Sequence, residues 1–148
     1  MIQYLSRLQK AYIAGFLDGD GSIYVQAKPN ATYRYKFQVA PYIVLFQSGQ
    51  SRKNFEKLCS LIGVGYMRKR NDGILEYIIG REKEIKNFLH AVKPYITLKK
   101  DQAKLMSIIL ERKACVASEK DFGKLLRLID KFRNLNYSKN RKKRKLTP

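Results

Sequence analysis

The sequence contains few of the residues that build small disulfide-bonded or zinc-dependent proteins. Its 148 residues include two cysteines and one histidine, which excludes a disulfide framework and a zinc site made of cysteine and histidine. No apolar stretch approaches the ~20 residues of a membrane span, and the N-terminal segment lacks the apolar run of a signal peptide. We therefore expect an intracellular protein of a reducing compartment that does not bind membranes.

Acidic residues are also scarce, with 12 Asp and Glu against 31 Lys and Arg, a formal net charge of +19. No acidic residue occurs between Gly21 and Phe55, and six of the seven residues from Lys139 to Lys145 are basic. Such an excess repels itself unless a polyanion neutralises it, so nucleic acid is the expected partner. We expect one domain over residues 1–137, followed by a basic, flexible tail over residues 138–148. The tail is either a phosphate-binding arm or merely solvated.

The spacing of apolar residues alternates between the helical period and the strand period along the chain. The order is helix, hairpin, helix, hairpin and then helices, which predicts an α+β fold with an antiparallel sheet packed on helices. The predicted helices cover residues 6–18, 55–62, 82–92, 99–112 and 118–135, and the predicted hairpins cover residues 23–45 and 66–79.

One face of the predicted sheet is rich in basic and amide side chains. An antiparallel sheet packed on helices leaves its other face free for water or a ligand. Arg and Gln side chains can bind guanine and adenine edges in the major groove, so this face predicts DNA recognition, with a merely basic, solvated face as the alternative. The ten positions on this face, none of them a carboxylate, are Tyr24, Gln26, Lys28, Arg34, Lys36, Gln38, Tyr42, Tyr66, Arg68 and Arg70.

The segment Ile13–Gly21 (IAGFLDGDG) carries the most specific pattern. Gly15 within a helix costs about 1 kcal/mol relative to alanine, which is understandable if another backbone approaches closely. Asp18 and Asp20 fall at the helix C-terminus, where the macrodipole disfavours negative charge, and a bound cation would restore the balance. The following residues supply no ligands for a calcium loop; a simple helix end at a left-handed glycine is the remaining alternative.

These nine residues resemble the LAGLIDADG signature of homing endonucleases, with five identical positions. The similarity extends over roughly residues 12–135 and includes Gly63-Val-Gly-Tyr66 and Pro94-x-x-x-Leu-Lys99. It looks most like the single-motif, homodimeric branch encoded in group I introns. The resemblance implies a saddle-shaped antiparallel sheet and a homodimer whose motif helices pack together. The residues it places at the dimer interface are Tyr12, Ile13, Ala14, Gly15 and Phe16.

The resemblance also implies the residues of a nuclease centre. Asp20 would bind divalent metal with help from the Gly19 carbonyl, and Gln47 and Lys99 would order solvent or stabilise the transition state. Arg52 is our choice for a third basic residue, because Ser51 stands at the position where the family often has one. Without the family position, Gln47 and Lys99 would pass for ordinary polar residues. The implied cofactor is Mg²⁺, with Mn²⁺ substituting and Ca²⁺ binding without efficient cleavage.

By position, the resemblance and the basic face together predict the residues that contact double-stranded DNA. Val44 and Phe46 are unexpectedly apolar there, and either read thymine methyl groups or are turned inward by a bulge. The predicted contacts are Tyr24, Gln26, Lys28, Asn30, Thr32, Tyr33, Arg34, Lys36, Gln38, Ala40, Tyr42, Ser48, Tyr66, Arg68, Arg70, Glu76, Ile78 and Lys139.

The expected function is that of a homing endonuclease that cuts a long, pseudo-palindromic duplex and leaves short 3′ overhangs. The alternative is a group I intron maturase that binds host intron RNA on the same scaffold. A general basic nucleic-acid binder is a third possibility, and it would show no sequence preference above salt-dependent background. The sequence does not distinguish between an organelle (a chloroplast or a mitochondrion) and a prokaryotic cytoplasm as the location.

Overall fold

The computed structural model describes residues 2–136, so Lys139 and the predicted tail at residues 138–148 lie outside the described residues. Four strands form one sheet in the order β1-β2-β4-β3, and the pairs β2–β4 and β3–β4 are antiparallel. The predicted α+β class is confirmed. The elements are α1 (Arg7–Asp20), β1 (Gly21–Pro29), β2 (Phe37–Ser48), α2 (Arg52–Ile62), β3 (Tyr66–Lys69), β4 (Ile74–Ile79), α3 (Glu82–Val92), α4 (Lys100–Ala114), α5 (Glu119–Asp130) and α6 (Phe132–Leu135).

Helix α1 begins at a capping box and ends later than predicted. The Ser6 hydroxyl accepts a hydrogen bond from the Gln9 backbone N–H at 3.2 Å, and the Gln9 side chain accepts one from the Ser6 N–H at 2.9 Å. The helix was expected to break at Asp18, but it continues through Asp20 to Gly21, whose N–H still donates to the Leu17 carbonyl. Gly21 is extended, with φ −122°, so the alternative of a left-handed glycine stop is wrong. A Cβ there would lie 2.6 Å from Leu17 Cδ1, and this close approach requires glycine.

The hairpins follow the predicted alternation in part. In β1, Ile23, Val25 and Ala27 are buried as predicted. Strand β2 is different, because Ala40 and Val44, which belong to its other face, are buried as well. Strand β2 lies between two neighbours in the sheet, and side chains of adjacent strands cover one another there.

The remaining helices differ from the prediction mainly near the C-terminal end. Helix α2 ends at Gly63 in the left-handed conformation, φ 74°, as the sequence indicates. The helix predicted over residues 118–135 is interrupted at Lys131, which separates α5 from α6. The Ser118 hydroxyl caps α5 by accepting from the Asp121 N–H at 3.1 Å, while the Asp121 carboxylate accepts from the Ala117 N–H at 3.2 Å.

The described residues form two compact units. The first contains the residues up to Ile23 together with Tyr42–Lys100, and the second contains Tyr24–Pro41 together with the residues from Asp101 onward. Fully buried side chains of the first unit include Ile13, Ile43 and Phe88, and Met106 and Leu125 lie in the core of the second. Within residues 2–136, no helix is long and apolar enough to cross a membrane.

Candidate functional site

The C-terminal end of α1 is tied to the segment before α4 by one buried carboxylate. Asp18 Oδ2 accepts hydrogen bonds from the backbone N–H groups of Thr97 at 2.7 Å and Leu98 at 3.1 Å, and Oδ1 accepts from that of Lys99 at 3.0 Å. Backbone N–H groups at the start of a helix lack partners within the helix, and a carboxylate satisfies them well. These three donors therefore balance the Asp18 carboxylate.

Lys99 contacts the same helix end from the other side. Its Nζ donates to the backbone carbonyl of Asp18 at 2.6 Å, and the side chain is half-buried. A cation at a helix C-terminus satisfies a free carbonyl and opposes the negative end of the macrodipole. The structure therefore places the Lys99 ammonium group at the end of the motif helix, two residues before Asp20.

Asp20 has surroundings unlike those of Asp18. Its side chain is exposed, and among the residues that the structure describes it forms no hydrogen bond or ion pair. Gly19, next to it, is also exposed. Carboxylate and carbonyl oxygens are the ligands that Mg²⁺ prefers, so this pair fits a divalent ion. Within residues 2–136, no group of three or more His, Cys, Asp or Glu residues is placed to hold a metal ion.

The other predicted catalytic residues make local contacts. Gln47 Oε1 accepts from the Ser48 backbone N–H at 2.8 Å, and the Ser48 hydroxyl accepts from the Gln50 N–H at 3.3 Å. Arg52 Nε lies 2.7 Å from Glu56 Oε1 on the exposed surface of α2. The described contacts do not join Gln47 or Arg52 to Asp20, and their catalytic roles stay predictions.

On the face of β2, β4 and β3 that was predicted to read DNA, a carboxylate is present. The register places Arg68 opposite Glu76 and Glu76 opposite Phe46, so all three share one face. Arg68 Nε donates to Glu76 Oε2 at 2.8 Å, and a second guanidinium nitrogen donates to the same oxygen. Arg70 forms an ion pair with Asp72 at 2.7 Å. The ten positions counted from the sequence hold no carboxylate, and Glu76, itself one of the predicted DNA contacts, adds one to this face.

The register also settles the orientation of the apolar pair on this face. Pairing of β2 with β4 is unbroken from Ile43 to Ser48, so a bulge does not turn Val44 or Phe46 inward. Val44 is only 2% exposed, and Phe46 is half-buried. Three predicted DNA contacts are buried in the same way, namely Ala40, Glu76 and Ile78. Tyr66 is exposed.

In the second unit, the loop that joins β1 to β2 is held in a defined conformation. Asn30 Oδ1 accepts from both the backbone N–H and the hydroxyl of Thr32, at 3.1 and 2.7 Å. Lys36 has φ 63°, a left-handed conformation that is uncommon for lysine, and its N–H donates to the Tyr33 carbonyl at 2.9 Å. The loop thus presents Tyr33 and Arg34, both exposed, on an ordered backbone. Of the other predicted contacts in this unit, Lys28 is exposed and Tyr24, Gln26 and Gln38 are half-buried.

The outer face of α1 carries exposed apolar side chains. Leu8 is 83% exposed and Tyr12 is exposed as well, and so is Tyr4, which lies three residues before the helix begins. A Cβ added at Gly15 would have no atom within 4 Å. Tyr4 and Leu8 were not among the predicted interface residues, although Leu8 and Tyr12 are four residues apart and so share one helix face.

Two residues of the predicted dimer interface lie elsewhere. Ile13 and Ala14 are 0% exposed, so they contact their own chain and cannot present surface to a partner. Their assignment to the interface is corrected accordingly. Tyr12, Gly15 and the half-buried Phe16 keep accessible surface.

Comparisons with known proteins agree with this arrangement. The family model described as LAGLIDADG endonuclease matches residues 13–110. The chain is 39% identical to DNA endonuclease I-CreI of Chlamydomonas reinhardtii over 132 residues, which cover 88% of this chain and 80% of that protein. It is 34% identical to DNA endonuclease I-CvuI of Chlorella vulgaris over 106 residues, which cover 72% and 66%. The crystal structure of I-CvuI in complex with the I-CreI target superposes with a TM-score of 0.85 at 31% identity, covering 92% of this chain and 87% of that one.

A more distant structure shares the fold at lower identity. The archaeal intron-encoded homing endonuclease I-Vdi141I, complexed with DNA, gives a TM-score of 0.80 at 19% identity. The α+β fold, with an exposed carboxylate at the end of the motif helix, is thus that of the homing endonucleases compared above. With the family model matching more than half of its length, the chain belongs to the LAGLIDADG endonuclease family.

Proposed function

We propose that this protein is a site-specific DNA endonuclease that hydrolyses one phosphodiester bond on each strand of a long, pseudo-palindromic duplex. The observation that carries the proposal is the exposed Asp20 carboxylate, which lies at the end of the family's motif helix without a described partner. The similar proteins I-CreI and I-CvuI are DNA endonucleases, which supports the same reaction here. Cleavage is proposed to leave short 3′ overhangs.

The active form is proposed to be a homodimer. One chain provides one suitably placed carboxylate, and within residues 2–136 it has no cluster of three ligands. The apolar outer face of α1 supports pairing with a second copy, because Tyr4, Leu8 and Tyr12 would be shielded from water there. The exposed Gly15 would let the two motif helices approach closely. Two copies would bring two Asp20 residues to one centre.

Divalent metal is the proposed cofactor, with Mg²⁺ as the natural ion and Mn²⁺ as a substitute. Asp20 and the Gly19 carbonyl would hold it, and Lys99 is held near them by its bond to the Asp18 carbonyl. A divalent ion held there would supply an activated water molecule and positive charge to neutralise the leaving oxygen. Structures of the similar I-CvuI with DNA were obtained in the presence of Mg and of Ca, which supports a role for divalent ions.

Recognition is proposed to use the sheet face and the β1–β2 loop. Arginine binds guanine edges through two hydrogen bonds, and glutamine binds adenine edges in the same way. Arg68 and Arg70 are therefore suited to guanine, and Gln26 to adenine. The Arg68 guanidinium is already oriented by Glu76, so less side-chain freedom is lost on binding. The described residues hold no feature that favours splicing of intron RNA over DNA cleavage. RNA binding is therefore not proposed, and the experiment below includes the result that would favour it.

The test is a selection from duplexes that carry a randomised insert of about two helical turns. The pool is incubated with Mg²⁺ and either the wild type or Asp20→Asn, and bound and cut molecules are sequenced separately. We expect both proteins to enrich the same pseudo-palindromic sequence and only the wild type to cut it. Cutting by Asp20→Asn at the wild-type rate would refute the metal assignment. Enrichment without cutting by either protein would refute the nuclease, and a maturase would remain.

A further inference from the structure

Helix α5 carries a row of basic side chains that the proposed recognition surface does not use. Lys120, Lys124 and Arg127 lie on α5, and Lys131, the residue that follows the helix in helical conformation, continues the row, so that the intervals are four, three and four residues. At 3.6 residues per turn, these positions fall within an arc of about 60°. The α5 basic row, as we call these four residues, therefore lies along one side of the helix. All four side chains are exposed.

These charges are not consumed by ion pairs within the protein. None of the four forms an ion pair or a side-chain hydrogen bond with another described residue. The nearby carboxylates lie to either side of the row, with Glu119 and Asp121 at the start of the helix and Asp130 at its end. The Asp121 carboxylate binds the Ala117 N–H, which is the leading cause of its lowered pKa, and the charge of Lys124 lowers that pKa further. The negative charge of Asp121 therefore offsets the positive charge of the row only near Lys124.

The surroundings of the row add charge of the same sign. An open groove of about 530 Å³ runs beside it between α4 and α5. Arg112 of α4 lines this groove together with Lys124, Arg127 and Lys131, and Asp121 is the carboxylate in its lining. At the start of α5, Lys120 lines a second groove with Arg34 and Lys36 of the β1–β2 loop. Lys120 thus brings one end of the α5 basic row next to the basic loop within one unit, with the carboxylate of Glu119 lining the same groove.

Resting on the function proposed above, we infer that the α5 basic row binds the sugar–phosphate backbone of duplex DNA that flanks the sequence read by the sheet and the loop. The row spans about 16 Å along the helix axis, which corresponds to about five nucleotides of one strand at 3.4 Å each. Because Lys120 lies beside the loop, the DNA proposed to contact the loop is favoured over a separate ligand. Such contacts hold the duplex in register and carry no sequence information.

The experiment compares two variants with equal loss of charge. The row variant combines Lys120→Gln, Lys124→Gln, Arg127→Gln and Lys131→Gln. The control variant combines four substitutions of exposed lysines on unit-one helices and their ends, Lys57→Gln, Lys83→Gln, Lys86→Gln and Lys93→Gln. All proteins are first compared by thermal unfolding. Binding is then measured against salt concentration with two duplexes, one trimmed to the selected target and one extended by about one helical turn on each side.

On the extended duplex, we expect the row variant to bind at least tenfold more weakly than the control variant at about 0.1 M salt. Its plot of log affinity against log salt should also be shallower, by about 0.9 for each phosphate group that the variant no longer neutralises. On the trimmed duplex the two variants should bind alike, and the selected sequence should not change. Equal binding of both variants to the extended duplex would overturn the inference. A weakening confined to structured RNA would overturn it too and assign the row to RNA.

This outcome is separable from failure of the proposed function. If the wild type selects no sequence and cuts nothing, the nuclease proposal fails whatever the row does. The row is then tested on extended and trimmed duplexes of arbitrary sequence, where the length-dependent difference between the two variants is still expected. Its absence there would refute the row's role independently.

Discussion

Asp18 and Lys99 are joined by two hydrogen bonds, and Lys99 is the donor in both. In one, its backbone binds the Asp18 side chain, and in the other, its side chain binds the Asp18 backbone. The Lys99 backbone N–H donates to Asp18 Oδ1 at 3.0 Å, and the Lys99 ammonium group donates to the Asp18 backbone carbonyl at 2.6 Å. Each residue thus satisfies a backbone group of the other. This link fixes the end of α1, and with it Asp20, against the start of α4.

The first prediction concerns the Asp18 carboxylate. In Asp18→Ala, three backbone N–H groups from Thr97 to Lys99 lose their acceptor. A buried donor left without a partner costs about 1–3 kcal/mol, and water recovers part of this. We expect the free energy of unfolding to fall by roughly 3 kcal/mol, measured by urea denaturation.

The matched control is Asp101→Ala, which removes an exposed carboxylate from the first turn of α4. Its interaction with the helix dipole is worth about 0.3–1 kcal/mol, so its effect should be clearly smaller. An equal loss in both variants would show that the Asp18 hydrogen bonds do not stabilise the fold as described.

The same link marks the limit of what the sequence predicts about the fold. Periodicity and turn residues predicted every strand and most helix limits, since those depend on neighbours a few residues apart. The hydrogen bond between Asp18 and Thr97 joins positions 79 residues apart, and no local pattern encodes it. The burial of Val44 likewise depends on which strands flank β2. The Ser6–Gln9 capping box, in contrast, has a readable Ser-x-x-Gln signature.

The candidate site was predicted unevenly for the same reason. The family motif located Asp20 and Gly19, whose exposure at the end of α1 agrees with a metal site. It did not distinguish Asp18 from Asp20, because both are aspartates at the same helix end. It also assigned Ile13 and Ala14 to the interface, although the face that each helical residue presents depends on tertiary packing.

The second prediction concerns association through α1. Gly15→Leu adds a side chain in open space on the outer face of the helix, so a single chain accommodates it. We expect the wild type to sediment as a dimer and the variant to fold but sediment as a monomer, because the added bulk would separate the two motif helices. Gly123→Leu is the control, as Gly123 is also helical with no atom within 4 Å of an added Cβ. Persistence of the Gly15→Leu dimer would contradict the interface.

The third prediction is a loss of stability at high pH. Burial, aided by the charge of Glu56, raises the pKa of the Cys59 thiol from 9.0 to about 12. Burial, followed by the charge of Cys59, raises the pKa of Tyr77 from 10.0 to about 12. The unfolded chain therefore loses these protons at lower pH than the folded one. The free energy of unfolding should fall as pH rises from about 9 to 12.

Urea denaturation at a series of pH values measures this decline. Cys59→Ala and Tyr77→Phe should each make it less steep, since each removes one group with a raised pKa. Tyr33→Phe, which removes an exposed hydroxyl, should keep the wild-type decline. The same slope in Tyr77→Phe as in the wild type would contradict the assignment to buried groups.

The fourth prediction concerns the ion pair between Arg68 and Glu76. In Glu76→Gln the guanidinium loses its charged partner, while the neighbouring face gains one unit of positive charge. We expect the variant to bind duplex DNA of random sequence more tightly. The ratio of its affinity for the target duplex to its affinity for random duplex, measured by competition at fixed salt, should therefore be smaller. Glu84→Gln, which breaks an ion pair with Arg81 on α3, should leave the ratio unchanged. An unchanged ratio in Glu76→Gln would show that the pair does not orient Arg68 for recognition.

The most direct test of the central claim uses a heterodimer of one wild-type chain and one Asp20→Asn chain, purified through two different tags. Cleavage of each strand of the selected duplex is followed separately in Mg²⁺. If the two Asp20 carboxylates share one metal-binding centre, the heterodimer should bind the target like the wild type and cut neither strand at an appreciable rate. Wild-type cutting of one or both strands would contradict the shared centre.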